Sequence, residues 1–307
     1  MPTTQASAST APATGAVPVS FELFPPRTPV GVEKLPHQVG QLATLNPAFF
    51  SVTCGAAGSA QSGTYETLVQ VAEHTGVPVA PHVTCIGATR ESMTALLKRY
   101  REHGVKRIVA LRGDLPATGT SDAPGDFHHA TDLVRFVREI HGDHFTIEVA
   151  AYPEYHPQAE NPEADFSHFC DKVRAGGDGA VTQYFFTIGS YLDFVERVRA
   201  QGLDLPIVPG IMPITNGKQL LRFSKACGAD VPRWIRLKLE HYGDDNDSVA
   251  AFGRDVVARL CSDLIATGAP GLHIYTLNKA APTLDLWQHL NASTASQPQV
   301  STATATA

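Results

Sequence analysis

The feature that most restricts the fold of this chain is a regular alternation of short apolar runs with longer amphipathic segments. The runs are rich in Val, Ile, Phe and Ala, and a segment with helical periodicity follows each of them. Alternation of this kind is typical of parallel βα units, whose helices cover both faces of a sheet. We therefore predict eight parallel strands, at residues 18–23, 49–54, 79–85, 107–113, 145–152, 179–185, 206–212 and 272–277.

Two arrangements of such units compete, an open doubly wound sheet and a closed barrel. An open nucleotide-binding sheet usually carries a glycine-rich phosphate turn after its first strand, and the chain has neither a GxGxxG nor a Walker A sequence. The first strand is followed instead by the run FPPRT, which includes Pro25 and Pro26. The length also suits a single barrel of about 250 residues. We therefore predict an α/β fold, a (β/α)8 TIM barrel.

The two ends of the chain differ in composition from the region between them. Residues 1–16 and 292–307 are dominated by Ala, Ser and Thr, and they have too few large apolar side chains to offset the entropy of ordering. We expect both ends to be disordered tails. Residues 17–291 are expected to form one catalytic domain.

The amino-acid composition limits the classes of molecule that the protein is expected to bind. A net charge of −6 argues against nucleic acid or an anionic membrane as the main partner. Five scattered cysteines without a CxxC pair suit a reducing compartment. No apolar stretch approaches the ~20 residues of a membrane span, and no secretory signal is recognisable. We expect a cytoplasmic protein that acts on small molecules.

Polar and charged side chains concentrate at the carboxyl ends of the predicted strands. In a barrel these ends converge on one mouth, where the chemistry of such enzymes is built. Any one of these residues taken alone is compatible with a structural role, but structural polarity has no reason to choose one end of a sheet. The strand-end residues are Glu22, Thr53, His82, Arg112, Gly113, Asp114, Tyr152, Gln183 and Tyr275.

A second polar cluster follows the fifth strand. Tyr152 and His156 precede a predicted helix in which Asp165 and Lys172 are two turns apart and so share a face. A solvated helix face explains this pair without any ligand. If a dinucleotide lies there, the carboxylate suits ribose hydroxyls and the lysine suits a pyrophosphate.

A metal-dependent barrel hydrolase is one alternative function. Glu22, His82 and either Cys85 or Cys54 would supply its ligands. Such sites usually need several His and Asp ligands, often as HxH on one strand, and no second histidine follows His82 closely. We expect no metal in the site.

Eight motifs, in this order, closely resemble those of the bacterial 5,10-methylenetetrahydrofolate reductase family. The resemblance extends over about residues 17–290, and the sequences VALRGDLP and AAYPEYHP are its most specific parts. The other motifs are SFELFPPRT, SVTCGA, APHVTC, AVTQYFF, PGIMPITN and IYTLN.

The resemblance implies a barrel that binds FAD at the carboxyl ends of its strands, without a Rossmann fold. Hydride would pass from NADH or NADPH to FAD and then to 5,10-methylenetetrahydrofolate, and the 5-methyltetrahydrofolate formed would feed methionine synthesis. The resemblance favours NADH and a homo-oligomer. By similarity, the FAD contacts are Thr53, Ala56, His82, Arg112, Gly113, Asp114, Ala130, Tyr152, His156, Asp165 and Lys172.

The resemblance also assigns the catalytic and substrate-binding residues. Glu22 would be the general acid, and Asp114, Gln183, Gln219 and Lys279 would hold the folate. Phe223 would stack on the substrate that occupies the open flavin face. A non-catalytic flavin- or folate-binding homologue is a further alternative, but it does not explain why Glu22, Asp114 and Gln183 are all present.

The chain departs from the family pattern at several of these positions. Cys54 replaces a usual tyrosine, and Lys279 replaces an arginine. His168 and Asp171 stand where a relative has Asn and Arg, which removes a cation beside Lys172.

The chemistry of the reaction suggests different roles for the two acids. The methylene carbon accepts hydride only after the five-membered ring opens, and ring opening needs a proton on the leaving nitrogen. A partly desolvated acid such as Glu22 is a natural donor. We expect Asp114 to stay ionised beside Arg112 and to bind the donor groups of the pterin.

Overall fold

The computed structural model describes residues 17–54, 61–113 and 125–295. Its strands are β1 (Val19–Leu23), β2 (Phe49–Val52), β3 (Val79–Thr84), β4 (Arg107–Leu111), β5 (Thr146–Ala151), β6 (Gly179–Thr182), β7 (Ile207–Val208), β8 (Gly210–Ile211) and β9 (Leu272–Tyr275). Its helices are α1 (Pro29–Ala43), α2 (Gln61–Thr75), α3 (Arg90–Glu102), α4 (Ala130–His141), α5 (Pro162–Arg174), α6 (Ile188–Ala200), α7 (Gly217–Cys227), α8 (Arg233–Tyr242), α9 (Asn246–Ala266) and α10 (Ala280–Ala295).

All neighbouring strands are parallel, and the sheet is nearly closed. The order is β7-β6-β5-β4-β3-β2-β1-β9-β8. Because β7 pairs with β6 while β8 pairs with β9, the two short strands are halves of one strand that joins the two edges. This arrangement confirms the predicted (β/α)8 barrel.

The predicted seventh strand, residues 206–212, is interrupted at Pro209. Proline has no backbone N–H and cannot donate to a ladder. Its carbonyl still accepts a hydrogen bond from His273 N at 3.0 Å. The next amide, Gly210 N, donates to the side-chain oxygen of Thr182 at 2.9 Å. The strand therefore changes partner at the proline.

The two faces of the strands have different chemistry. Alternate residues such as Phe21, Phe50 and Ile147 are fully buried in the main core between the sheet and the helices. The residues between them face the barrel lumen, where a small separate apolar cluster is formed by Phe49, Ala80 and Val109. Most of the lumen is polar, whereas branched apolar side chains usually fill this fold. Its buried polar residues are Ser20, Ser51, His82, Glu148 and His273.

Helix α1 begins where the FPPRT run predicts a sharp end to the first strand. The side chain of Thr28 accepts a hydrogen bond from Gly31 N at 3.1 Å, and Pro29 occupies the first helical position. Within the described ranges, no helix combines the length and the apolar character needed to cross a membrane.

Replacement of Gly253 by Ala is expected to destabilise the fold by about 1–3 kcal/mol, because overpacking forces backbone shifts. A Cβ on this α9 residue would lie 2.4 Å from Ile214 O and 2.5 Å from Ile214 Cβ. Urea unfolding measures the effect. Gly63→Ala in α2 is the control, since its Cβ would meet Pro25 at an ordinary 3.5 Å. Equal midpoints for both variants would contradict the packing argument.

Candidate active site

Glu22 lies on the lumen side of β1 near the mouth of the barrel. It is in register with Ser51 of β2 and Tyr275 of β9, and its side chain is 22% exposed. Its Oε2 lies 3.5 Å from Nε2 of His82 and 3.8 Å from Nε2 of His273. The strand-end acid is therefore flanked by two imidazoles.

The turn after β9 holds the backbone around Glu22. The Thr276 hydroxyl donates to Glu22 O at 2.7 Å. Phe24 N donates to the Asn278 side chain at 3.0 Å, and the Asn278 amide donates back to Phe24 O at 2.8 Å. Asn278 has a positive φ of 56°, a conformation that asparagine tolerates better than most residues. These bonds fix the position from which the carboxylate projects.

His273 is a site residue that the sequence reasoning missed. It lies one layer below the strand ends, so a search of those ends does not find it. Its Nδ1 is 2.7 Å from Ser20 Oγ, its Nε2 is 3.4 Å from Ser51 Oγ, and its ring stacks on Phe49. The sequence signal for His273 is its position in the strand sequence LHIY, where a polar residue stands between the apolar Leu272 and Ile274.

His82 is buried, and its Nε2 has no hydrogen-bond partner among the described residues. Desolvation lowers the pKa of His82. The nearby Glu22 partly opposes this shift, and His273 lowers the pKa further. The imidazole is therefore neutral near pH 7. A buried polar atom without a partner near the mouth of the barrel is a candidate ligand contact.

Tyr275 has a structural role. Its hydroxyl donates to Thr182 O at 2.6 Å, and its ring packs against Tyr184. Burial raises the pKa of Tyr275 well above its ordinary value, and Glu22 adds to the shift. The phenol therefore stays protonated and keeps its hydrogen bond to Thr182 O in the barrel wall.

The end of β4 supplies a glycine that the site requires. Gly113 has a φ of +89°, and a Cβ there would lie 3.0 Å from both Thr84 Cβ and Ile86 Cγ2. Arg112 donates to the side chain of Gln158 and, at 3.4 Å, to Gly113 O. Two of the predicted site residues, Asp114 and Ala56, lie outside the described residues.

The loop after β5 and helix α5 bring together four of the predicted FAD contacts. The rings of Tyr152 and His156 pack edge to face with centroids 4.7 Å apart. Asp165 Oδ2 accepts a hydrogen bond from His156 N at 3.0 Å. Lys172 Nζ donates to Ala150 O at 2.6 Å, and burial lowers the pKa of Lys172 to about 8 although Asp165 opposes the shift.

The remaining predicted residues lie at five places along the chain, after β2, on α4, after β6, on α7 and before α10. Thr53 N donates to Leu23 O, and Ala130 opens helix α4 directly after His129. The other four are Gln183 after β6, Gln219 and Phe223 on α7, and Lys279 before α10. Gln219 and Phe223 are four residues apart and so share one side of α7.

These residues fit a bound flavin dinucleotide. The buried Nε2 of His82, which has no hydrogen-bond partner among the described residues, offers a polar contact to a ligand at the mouth. Lys172, in the last turn of α5, supplies a cation near the carboxyl end of β5, where its Nζ donates to Ala150 O. The N-terminal ends of α4 and α5 follow the carboxyl ends of β4 and β5, and helix N-termini favour phosphate.

The donor set for a metal hydrolase does not converge. Throughout the described ranges, no group of three or more His, Cys, Asp or Glu is arranged to hold a metal ion. Cys85 is buried with its Sγ directed to Arg112 O, and burial raises the pKa of this thiol to about 12. Cys54 Sγ accepts from the Thr84 hydroxyl instead.

Comparison with known proteins identifies the family. A family model described as methylenetetrahydrofolate reductase matches residues 7–291. The 5,10-methylenetetrahydrofolate reductase of Pectobacterium carotovorum subsp. carotovorum is 40% identical over 266 residues, which is 87% of each chain. The Escherichia coli K12 protein of the same name is 37% identical over 267 residues, covering 87% of this chain and 88% of that one. Methylenetetrahydrofolate reductase (NADH) 1 of Arabidopsis thaliana is 36% identical over 275 residues, 46% of its length.

A solved structure supports the fold independently. A Clostridium thermocellum protein, described as binding two copies of 5-methyl-5,6,7,8-tetrahydrofolic acid, superposes with a TM-score of 0.63 at 14% identity. The match covers 91% of this chain and 96% of that one. With these matches over nearly the whole barrel, the chain belongs to the methylenetetrahydrofolate reductase family.

Proposed function

We propose that this protein reduces 5,10-methylenetetrahydrofolate to 5-methyltetrahydrofolate, using NAD(P)H and FAD. The observation that carries the proposal is the position of Glu22, a carboxylate at the mouth of a family barrel between two buried imidazoles. The product would feed methionine synthesis. The name of the Arabidopsis relative specifies NADH, which supports NADH as the reductant here.

Glu22 has the chemistry needed to open the substrate ring. FAD, when bound, supplies a group that takes hydride from the nicotinamide and gives it to the folate. The folate becomes an acceptor only when the leaving ring nitrogen is protonated, and a positioned acid contributes typically 10²–10⁴ in rate. Glu22 is the described acid at the mouth that faces the lumen.

The two histidines lie close to the negative charge that Glu22 carries after it gives up its proton. Once Glu22 has given up its proton, its carboxylate lies 3.5 Å from one imidazole nitrogen and 3.8 Å from another. Ser20 and Ser51 orient His273 through its two ring nitrogens. An imidazole N–H that faces the carboxylate can therefore stabilise its negative charge.

The other predicted site residues would bind either the cofactor or the substrates. Asp114 would bind the pterin as a carboxylate, with Gln183, Gln219 and Lys279 holding the rest of the folate and Phe223 covering the ring. We expect the enzyme to act as a homo-oligomer. The FAD contacts would be Thr53, Ala56, His82, Arg112, Gly113, Asp114, Ala130, Tyr152, His156, Asp165 and Lys172.

Absorbance spectroscopy tests this function directly. The purified protein should be yellow, NADH should bleach the flavin anaerobically, and methylenetetrahydrofolate should restore its colour. A colourless protein that does not take up FAD would overturn the proposal. A protein that NADH bleaches but the folate does not reoxidise would be a non-catalytic or differently specific homologue. Running NADPH in parallel identifies the reductant.

A further inference from the structure

A single carboxylate connects the loop after β5 to the far end of helix α7. Glu154 Oε2 accepts a hydrogen bond from Asp230 N at 2.7 Å, and Asp230 lies in the connection between α7 and α8. Glu154 is half-buried, and desolvation raises its pKa while the bond from Asp230 N opposes the shift. The contact is therefore a partly desolvated, charge-assisted bond between two segments far apart in the chain.

The same loop meets α7 at a second point. Gly228 ends α7 with a left-handed φ of +79°, and a Cβ there would lie 3.0 Å from Cδ of Pro157. The intervening residue Tyr155 has a φ of +136°, which is strained for a residue with a side chain. Strain of this kind persists only where the surroundings hold the backbone in place. The hydrogen bond that Asp230 N donates to Glu154 is the neighbouring restraint.

Helix α7 is held on its other side by the end of β6. The Tyr184 hydroxyl lies 3.1 Å from Ser224 Oγ, and Cys227 Sγ lies 3.3 Å from the same hydroxyl. Tyr184 directly follows Gln183, one of the proposed folate contacts. The helix that carries Gln219 and Phe223 is thus held between β6 and the β5 loop.

We propose that Glu154 is a positioning residue that couples the β5 loop, residues 152–157, to helix α7. The inference rests on the proposed function, since this loop carries Tyr152 and His156, proposed to hold FAD, and α7 carries the proposed folate contacts. Contacts with FAD restrict the motion of the loop further, and the bond that Asp230 N donates to Glu154 passes this restriction to α7. By linkage, ordering of α7 by the folate tightens the hold on FAD to the same degree.

Hydrogen exchange of the full-length protein tests the coupling without relying on turnover. FAD should slow amide exchange over residues 217–230 in the wild type. Glu154→Ala should abolish that slowing, and it should raise the KM for methylenetetrahydrofolate by about tenfold, the worth of one hydrogen bond to a charged group. The rate of flavin reduction by saturating NADH should stay unchanged. Glu154→Gln keeps an acceptor oxygen but loses the charge, so it should retain part of the slowing and raise the KM less than Glu154→Ala does.

The controls separate this inference from the proposed function. Glu160→Ala removes an exposed carboxylate between the β5 loop and α5 and should change nothing. If Glu154→Ala does not fold, Glu154→Asp shortens the side chain, retains the charge and gives the same test. FAD-dependent protection that persists without the bond, or equal effects of the Ala and Gln variants, would overturn the coupling. A wild type that shows the protection but never transfers hydride to the folate would overturn the function alone.

Discussion

Replacement of Glu22 by Gln is expected to abolish folate reduction while leaving reduction of the flavin by NADH largely intact. The amide has nearly the same shape but cannot give a proton to the leaving nitrogen. The reoxidation of reduced flavin by methylenetetrahydrofolate should fall by about 10²–10⁴-fold, the usual contribution of a positioned acid. Anaerobic stopped-flow spectroscopy measures the two half-reactions separately.

The design of the Glu22 experiment depends on its comparison variants. Glu33→Gln changes an exposed carboxylate on α1 and should leave both half-reactions unchanged. His273→Gln should slow the folate half-reaction less than Glu22→Gln does, because His273 acts through the carboxylate. If Glu22→Gln slowed both half-reactions to the same extent, its role would be in binding or folding and the assignment as proton donor would be wrong.

Replacement of Lys172 by Met is expected to have opposite effects on FAD binding and on the stability of the apoprotein. Removal of a cation beside the pyrophosphate should weaken FAD binding by about 10–100-fold, the range for hydrogen bonds to charged groups. The apoprotein should be as stable or more stable, because Met fills the half-buried space without the desolvation cost of a charge. Flavin fluorescence titration and thermal unfolding measure the two effects.

The pH dependence of apoprotein stability and of FAD affinity gives a second test of the role of Lys172. The pKa of Lys172 is lowered to about 8 in the folded chain, whereas an unfolded lysine has a pKa near 10.4. Between these values the unfolded chain binds more protons, so Lys172 makes the apoprotein more stable as pH rises from about 8. FAD affinity should change in the opposite direction, falling as Lys172 loses its proton.

The Lys172→Met variant should lack this dependence of FAD affinity on pH. Lys98→Met, an exposed lysine on α3, is the control and should keep it. A wild-type affinity that stays constant between pH 7 and 9.5 would contradict the placement of Lys172 beside the phosphates.

The fold was predictable because its signals are local. The alternation of apolar runs and helical segments depends on the period of each element, which a single stretch of sequence records. The split at Pro209 was not predicted, although proline is a known break in a ladder. Whether the two halves would pair with different strands depends on the closure of the barrel, which brings β6 and β9 to either side of this segment.

The candidate site was predictable at the strand ends and much less so below them. Glu22 and His82 follow from their positions at the carboxyl ends of strands. His273, Ser20 and Ser51 lie deeper in the lumen, and in the sequence they look like isolated polar residues within apolar strands. The contact of Glu154 is not predictable from sequence, because its partner is the backbone amide of Asp230 and a backbone amide has no sequence signature.

The sequence by itself determined the parallel βα architecture, the polar mouth and, through its motifs, the family. The tertiary structure alone decided that His82 and His273 flank Glu22 and that Glu154 holds the end of α7. The physical reason is the range of the interactions. Helical and strand periods are set by neighbours in the chain, whereas these contacts join residues on different strands and loops and depend on the register and stagger of the closed sheet.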